Sequence, residues 1–341
     1  MNTFQRYLAE EFVEDYQEGR MSRQQALKLI ASVLGSLTVA QTFLAACAPP
    51  PEPAATATPI GAAPTGTTSP TNTAAPATST TAPTEATESL ATSEASSPTA
   101  PAAGTVSPDD AAVQGGETTF PGEDGATLTG YLARPADAGP APIILVCHEN
   151  RGLTDHIRDV TRRLAKAGYV ALAVDLLSRQ GGSAAVGSDN VPGALGNIDP
   201  GQFVADFRSG WRYLAAQTDV LGDRVGMVGF CFGGGVTWRV AVGVPELRAA
   251  VPFYGPHPDV AEVPAINAAV LGIYGGLDLR INQGIPAIEA AMLAEGKIYE
   301  KRVYDGADHA FHNDTGTRYN ADAARDAWAL TLDWFARYVR S

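Results

Sequence analysis

Past residue 115 the chain alternates between short apolar runs and longer amphipathic ones. Glu117–Phe120 and Thr127–Ala133 alternate with period two, and Gly122 to Gly125 between them supplies a turn, so the pair reads as an antiparallel hairpin. Ile143–Cys147 is continuously apolar after two prolines, the pattern of a strand covered on both faces. Residues 155–167 place Ile157, Val160, Leu164 and Ala167 on one helical face. Tyr169–Val174, Val225–Phe230, Ala249–Tyr254, Ala269–Tyr274 and Tyr299–Tyr304 read as further strands. Phe203–Ala216, Gly233–Val242, residues 285–295 and Ala321–Tyr338 read as helices, and a Gly- and Ser-rich loop spans about 178–199. Strands alternating with helices predict an α/β fold: a mainly parallel sheet covered on both faces, whose sites gather beyond the carboxyl ends of the strands.

Upstream the pattern is different. Residues 29–46 carry no charge and follow Arg20, Arg23 and Lys28, as in a secretory signal. Leu44-Ala45-Ala46-Cys47 resembles a bacterial lipobox, which implies cleavage before Cys47 and lipidation of its thiol. An uncleaved membrane helix is the alternative, at the short limit of length for a span. Before this segment, Leu8, Phe12 and Tyr16 are spaced as on an amphipathic helix. Met21 is a second candidate start. From Ala48 to about Ala112 the chain is nearly all Ala, Pro, Thr, Ser and Gly, and no Lys or Arg occurs between Lys28 and Arg134. That composition cannot offset its own ordering entropy and reads as an extended tether. The organisation expected is therefore a signal over 1–46, a lipidated, disordered tether over 47–114, and one globular domain over 115–341, exported and held to the membrane by lipid alone.

The net charge of −13 argues against a nucleic-acid partner, since phosphate binding needs a basic surface. Three cysteines, Cys47, Cys147 and Cys231, are too few for a disulfide scaffold, and no Cys/His ligand spacing occurs. A Cys147–Cys231 bond between neighbouring strand ends is a minor alternative.

Chemistry concentrates after three strand-like runs. Gly229-Phe230-Cys231-Phe232-Gly233-Gly234 is a strand-to-helix elbow of the form G-x-C-x-G, with Cys where many hydrolases carry Ser. Its helix N-terminus favours a thiolate, and the Phe232 amide faces a developing oxyanion. Asp278 and His309 follow the next strand ends in the order nucleophile, acid, histidine. His312 is the fallback base and Asp308 the fallback acid. His257 reads as a loop filler, and His156 as part of a helix start.

On these motifs the domain resembles the dienelactone hydrolase family across most of 117–338, with an α/β-hydrolase fold. The resemblance implies a Cys231–His309–Asp278 triad, Glu149 as a carboxylate that contacts the resting thiol, and the Asn150 amide as second oxyanion donor. Its substrate-holding arginines lack counterparts in sequence. Arg151, Arg179 and Arg280 are the substitutes, each following a strand-like segment. Ester or lactone hydrolysis of a small molecule is the activity implied, and the chemistry calls for no metal and no cofactor.

Overall fold

The computed structural model describes residues 1–47, 104–137 and 139–341; most of the expected tether lies outside the described residues. Eight strands form one mixed sheet in the order β1-β2-β4-β3-β5-β6-β7-β8. They are β1 (Val113–Pro121), β2 (Thr127–Pro135), β3 (Ala141–Cys147), β4 (Val170–Asp175), β5 (Val220–Phe230), β6 (Ala249–Phe253), β7 (Ala269–Gly275) and β8 (Tyr299–Tyr304). The expected hairpin is β1–β2, whose second strand also runs antiparallel to β4, while β4, β3, β5, β6, β7 and β8 are mutually parallel. Strands β3, β4, β6 and β7 are buried at every position, which is why they read as unbroken apolar runs.

The helices are α1 (Thr3–Gln17), α2 (Arg23–Leu34), α3 (Leu37–Ala46), α4 (Asp155–Lys166), α5 (Ser183–Val186), α6 (Val191–Gly196), α7 (Pro200–Ala215), α8 (Phe232–Gly243), α9 (Leu279–Asn282), α10 (Ile285–Ala294) and α11 (Ala321–Phe335). The loop expected over 178–199 holds α5 and α6. They run four and six residues, α5 between Gly182 and Gly187 and α6 capped by Asn197, too short for a periodicity to show.

The folded body extends beyond the expected 115–341. Val106 is buried, its amide donating to Asp159 at 2.7 Å. Residues 1–47 also pack onto the domain. Leu8 and Phe12 of α1 and Ile30 and Val33 of α2 are fully buried, and each such side chain withdrawn from water contributes roughly 1.5–3 kcal/mol. Asn2 caps α1 and Ser22 caps α2, each in a reciprocal bond with the Gln three residues on. No single helix among the described residues is long and apolar enough to cross a membrane. The pair α2 and α3 passes by length and composition but is bent by 117° at Gly35 and Ser36.

The sheet positions the site through close backbone approach at the β5–α8 elbow. A Cβ on Gly233 would meet the carbonyl oxygens of His148 and Cys147 at 2.5 and 2.6 Å, so only glycine lets α8 start against the end of β3. Gly233→Ala is expected to lower stability by about 3 kcal/mol, the upper range for forced overpacking. A urea midpoint within error of wild type would refute this close packing.

Candidate active site

Cys231 sits between β5 and α8 with φ 58° and ψ −120°, a left-handed conformation that non-glycine residues avoid. The turn is over-determined. The Cys231 amide donates to Phe253 O on β6 at 3.1 Å, and the Cys231 carbonyl accepts from Gly234 N at 2.9 Å. The side chain is thereby lifted to the carboxyl edge of the sheet, at the N-terminus of α8. Phe232 is the first residue of that helix, and first-turn amides have no intrahelical acceptor.

Asp278 and His309 leave the ends of β7 and β8. Two backbone bonds tie their loops together, Gly276 N to Tyr304 O at 2.8 Å and Leu277 N to Ala307 O at 2.9 Å. Asp278 caps α9, one carboxylate oxygen accepting from Ile281 N at 3.2 Å. The other oxygen is 2.6 Å from His309 Nδ1. That leaves Nε2 toward Cys231, and the donor atoms of Cys231, His309 and Glu11 all lie within 4.8 Å of one another. All three are buried, as is Asp278. Burial opposes charge on His309, but the Asp278 carboxylate and the Cys231 sulfur together outweigh it and hold the imidazole well above its ordinary range. Burial, then the Glu11 carboxylate, pushes the Cys231 thiol up.

The Glu11 contact was not foreseen. Its carboxylate oxygens stand 3.7 Å from Cys231 Sγ, and one of them accepts from Asn150 Nδ2 at 2.9 Å. The Tyr7 hydroxyl, one turn earlier on α1, is 3.2 Å from Sγ and 3.4 Å from His309 Nε2. Glu149, to which the resemblance assigns the contact with the resting thiol, lies in the same cavity but accepts from Asn313 Nδ2 at 2.6 Å, and burial raises its carboxyl. The carboxylate on the thiol is thus Glu11. The loop carrying Glu149 and Asn150 is set by His148, whose ring joins Glu149 O at 2.7 Å and accepts from Leu176 N at 3.3 Å.

A cavity of about 200 Å³ opens beside Cys231, lined by Glu11, Glu149, Asn150, Arg151, Asn313 and Arg318 among others. Arg151 is exposed at its rim. Arg179 is not brought here, because it is held by Asp206 at 2.8 Å and Asp124 at 2.9 Å. Arg280 faces α1, its Nε 3.1 Å from Glu14 and its guanidinium 4.7 Å over the Tyr7 ring. Arg318, nine residues past the histidine, escaped notice because it lies in an irregular loop with no periodic signal. Its Nη1 is 3.5 Å from Asp15 but makes no hydrogen bond.

The fallback residues take other places. His312 is fully buried and stacks on Phe230 at 5.0 Å, and burial holds it well below its ordinary range. Asp308 accepts from the His309 amide at 2.6 Å and faces Arg20. His257 meets the Tyr274 hydroxyl at 3.0 Å, and burial lowers it to about 4. His156, in the first turn of α4, pairs with Asp314 at 2.9 Å. Cys47, Cys147 and Cys231 are all free thiols, so the Cys147–Cys231 bond is not made.

Among the described residues, Glu11, Cys231 and His309 are the group whose donors stand close enough to hold a metal ion. The Tyr7 hydroxyl contacts two of the three, and an ion would have to displace it.

A negative charge beside a thiol disfavours the thiolate. Glu11→Gln is therefore expected to move the pH profile of Cys231 alkylation by iodoacetamide toward lower pH, followed by mass spectrometry of the labelled peptide. A profile unmoved by the substitution would place Glu11 away from the thiol.

Comparison with known proteins bears on the family and the fold. The model of the Dienelactone hydrolase family matches residues 128–339. A protein of Methylorubrum extorquens provisionally named a carboxymethylenebutenolidase is 36% identical over 251 residues, covering 69% of this chain and 84% of its own. A crystal structure from Klebsiella pneumoniae, provisionally described as a dienelactone hydrolase, is 36% identical with TM-score 0.62, covering 67% of this chain and all of that one. A dienelactone hydrolase-like promiscuous phosphotriesterase from metagenomic libraries is 25% identical with TM-score 0.58, covering 67% of this chain and 99% of that one. An acylaminoacyl peptidase of Pyrococcus horikoshii, 14% identical with TM-score 0.54, shares the fold over 67% of this chain and 42% of its own.

Proposed function

The chain belongs to the dienelactone hydrolase family, and from that premise we propose that it hydrolyses a small ester or lactone through a thioester on Cys231. The observation that carries the reading is the His309 Nδ1–Asp278 bond of 2.6 Å, which turns Nε2 toward the thiol at the end of β5. In this route His309 takes the Cys231 proton as Sγ attacks the acyl carbon. The oxyanion forms on the amides of Phe232 and Asn150. The alkoxide then leaves with the proton from His309. Water, deprotonated by His309, next attacks the thioester, and the acid departs as the thiolate is reprotonated. Asp278 fixes the tautomer and stabilises the imidazolium. Arg151 and Arg318, at the cavity beside the thiol, favour a substrate with negative charge near the scissile bond.

Turnover of p-nitrophenyl acetate and of a carboxylated ester tests this. Cys231→Ala is expected to abolish hydrolysis. Asp278→Asn is expected to lower kcat on the order of 10⁴-fold while the fold survives, as loss of the orienting carboxylate does in related triads. Hydrolysis by Cys231→Ala at the wild-type rate would end the thiol-nucleophile reading.

The same reading includes export and lipidation at Cys47, supported by the uncharged run 29–46 and the Leu44-Ala45-Ala46-Cys47 motif. Expression in a bacterial host is expected to give a membrane-bound product beginning at a diacylated Cys47, read by mass spectrometry of its N-terminal peptide. A product that still begins at Met1 or Met21 would remove this part of the proposal.

A further inference from the structure

Two observations about α1 point the same way. The first concerns what lies over the reacting atoms. An attacking sulfur needs the acyl carbon within about 3–3.5 Å along an open approach. Here the Tyr7 hydroxyl stands 3.2 Å from Cys231 Sγ and 3.4 Å from His309 Nε2. Glu11 takes a further side of the sulfur at 3.7 Å. Cys231 itself is 3% exposed. Tyr7 therefore fills the place of the scissile group between nucleophile and base. A carboxylate in this position also opposes both charges the reaction must develop, a thiolate and an oxyanion.

The second observation concerns how α1 is held. One face of the helix carries Glu11, Glu14 and Asp15, which meet Asn150, Arg280 and Arg318 respectively. Asn150 and Arg318 line the cavity beside Cys231, and Arg280 covers the Tyr7 ring. The apolar face seats Phe4 on Phe203 and Phe232 at 5.3 and 4.9 Å, with Leu8 and Phe12 fully buried. Acidic groups on guanidinium groups, with an aromatic hydroxyl at the nucleophile, are the contacts of a bound ligand rather than of a structural brace. A brace would have no need to place Tyr7 and Glu11 against the Cys231 thiol and the His309 imidazole.

We propose that α1 is an intramolecular ligand of the active site, a built-in competitor that the substrate can replace only when α1 departs. Its acids occupy the guanidinium groups, and its tyrosine occupies the acyl position, so an acidic amphipathic helix is the chemistry this mouth recognises. The inference rests on the Cys231 hydrolase reading for its effect on turnover, but not for its effect on access to the thiol. Cleavage before Cys47, as proposed above, would remove α1, α2 and α3 together. The unprocessed chain would then be closed and the exported form open.

The experiment compares the full chain with Leu8→Asp/Phe12→Asp, which strips the anchoring face and leaves every group at the site in place. A second variant, Tyr7→Ala/Glu11→Ala, removes only the atoms over Cys231 and serves if the first does not fold, as judged by circular dichroism. Two rates are read, alkylation of Cys231 by iodoacetamide and kcat/KM for p-nitrophenyl acetate. Buried Cys147 is the internal control for global unfolding. The expected result is at least a tenfold rise in Cys231 labelling and in kcat/KM, with Cys147 unlabelled. A competent fraction of a tenth or less in the closed chain gives that ratio. A rise in labelling with no ester turnover in any form would uphold the cover and sink the hydrolase reading. Labelling unchanged in a folded variant would overturn the cover. So would a fall in kcat/KM, since it would make Tyr7 and Glu11 part of the catalytic machinery.

Discussion

The bond of 2.6 Å between Asp278 and His309 is the constraint on which the site depends. Both groups are buried, and a buried carboxylate without a partner carries a large desolvation cost. The imidazole offsets that cost only if the loops after β7 and β8 are held at one spacing. The backbone bonds from Gly276 and Leu277 across to the β8 loop supply that spacing. With Nδ1 committed to the carboxylate, Nε2 has a fixed direction, and the elbow at Cys231 meets it because glycine at 233 lets α8 begin against β3. The strained backbone at Cys231 is sustained by the same parallel sheet that aligns the three strand ends.

Electrostatically the site is a stack of alternating charges. Asp278 stabilises a charged His309, His309 favours a thiolate, and Glu11, close to both the sulfur and the imidazole, disfavours it. The balance on Cys231 is set by burial and by a residue that enters from outside the hydrolase domain. Removing that residue and admitting solvent would both lower the thiol's proton affinity, so whatever moves α1 changes access and reactivity together.

Much of this was legible in the sequence. The strands were visible because a parallel sheet covered on both faces needs unbroken apolar runs, as in Ile143–Cys147. Asp278 and His309 were visible because strand ends are where such a fold puts its chemistry. The α1 helix was visible as a helix, since Leu8 and Phe12 recur at its period and both are buried. What it packs against was not, because a helical stripe states that one face is covered without saying by what. Tyr7 and Glu11 carry no signal of their own in the sequence, and their partners lie 139 to 302 residues away. Arg318 lacked any signal for a related reason, since its place is fixed by a loop closing over a cavity. Arg179 looked available at a strand end, but Asp124 and Asp206 bind it, and spacing along a chain does not report competition between acids.

The sequence separations within the site carry a consequence for biosynthesis. Tyr7 meets a cysteine 224 positions later and a histidine 302 positions later. A ribosome adds roughly 5–20 residues each second and delivers the N-terminus first. The surface that receives α1 therefore does not exist until almost the whole chain has been made. During that interval of many seconds the faces carrying Phe4, Leu8, Phe12, Ile30 and Val33 lack the partners they find later in the chain, such as Phe203 and Phe232 for Phe4. They are available to any factor that binds nascent amphipathic segments, and docking of α1 is the event that ends this availability. The order of synthesis thus places exposure of the N-terminal helices before closure of the site.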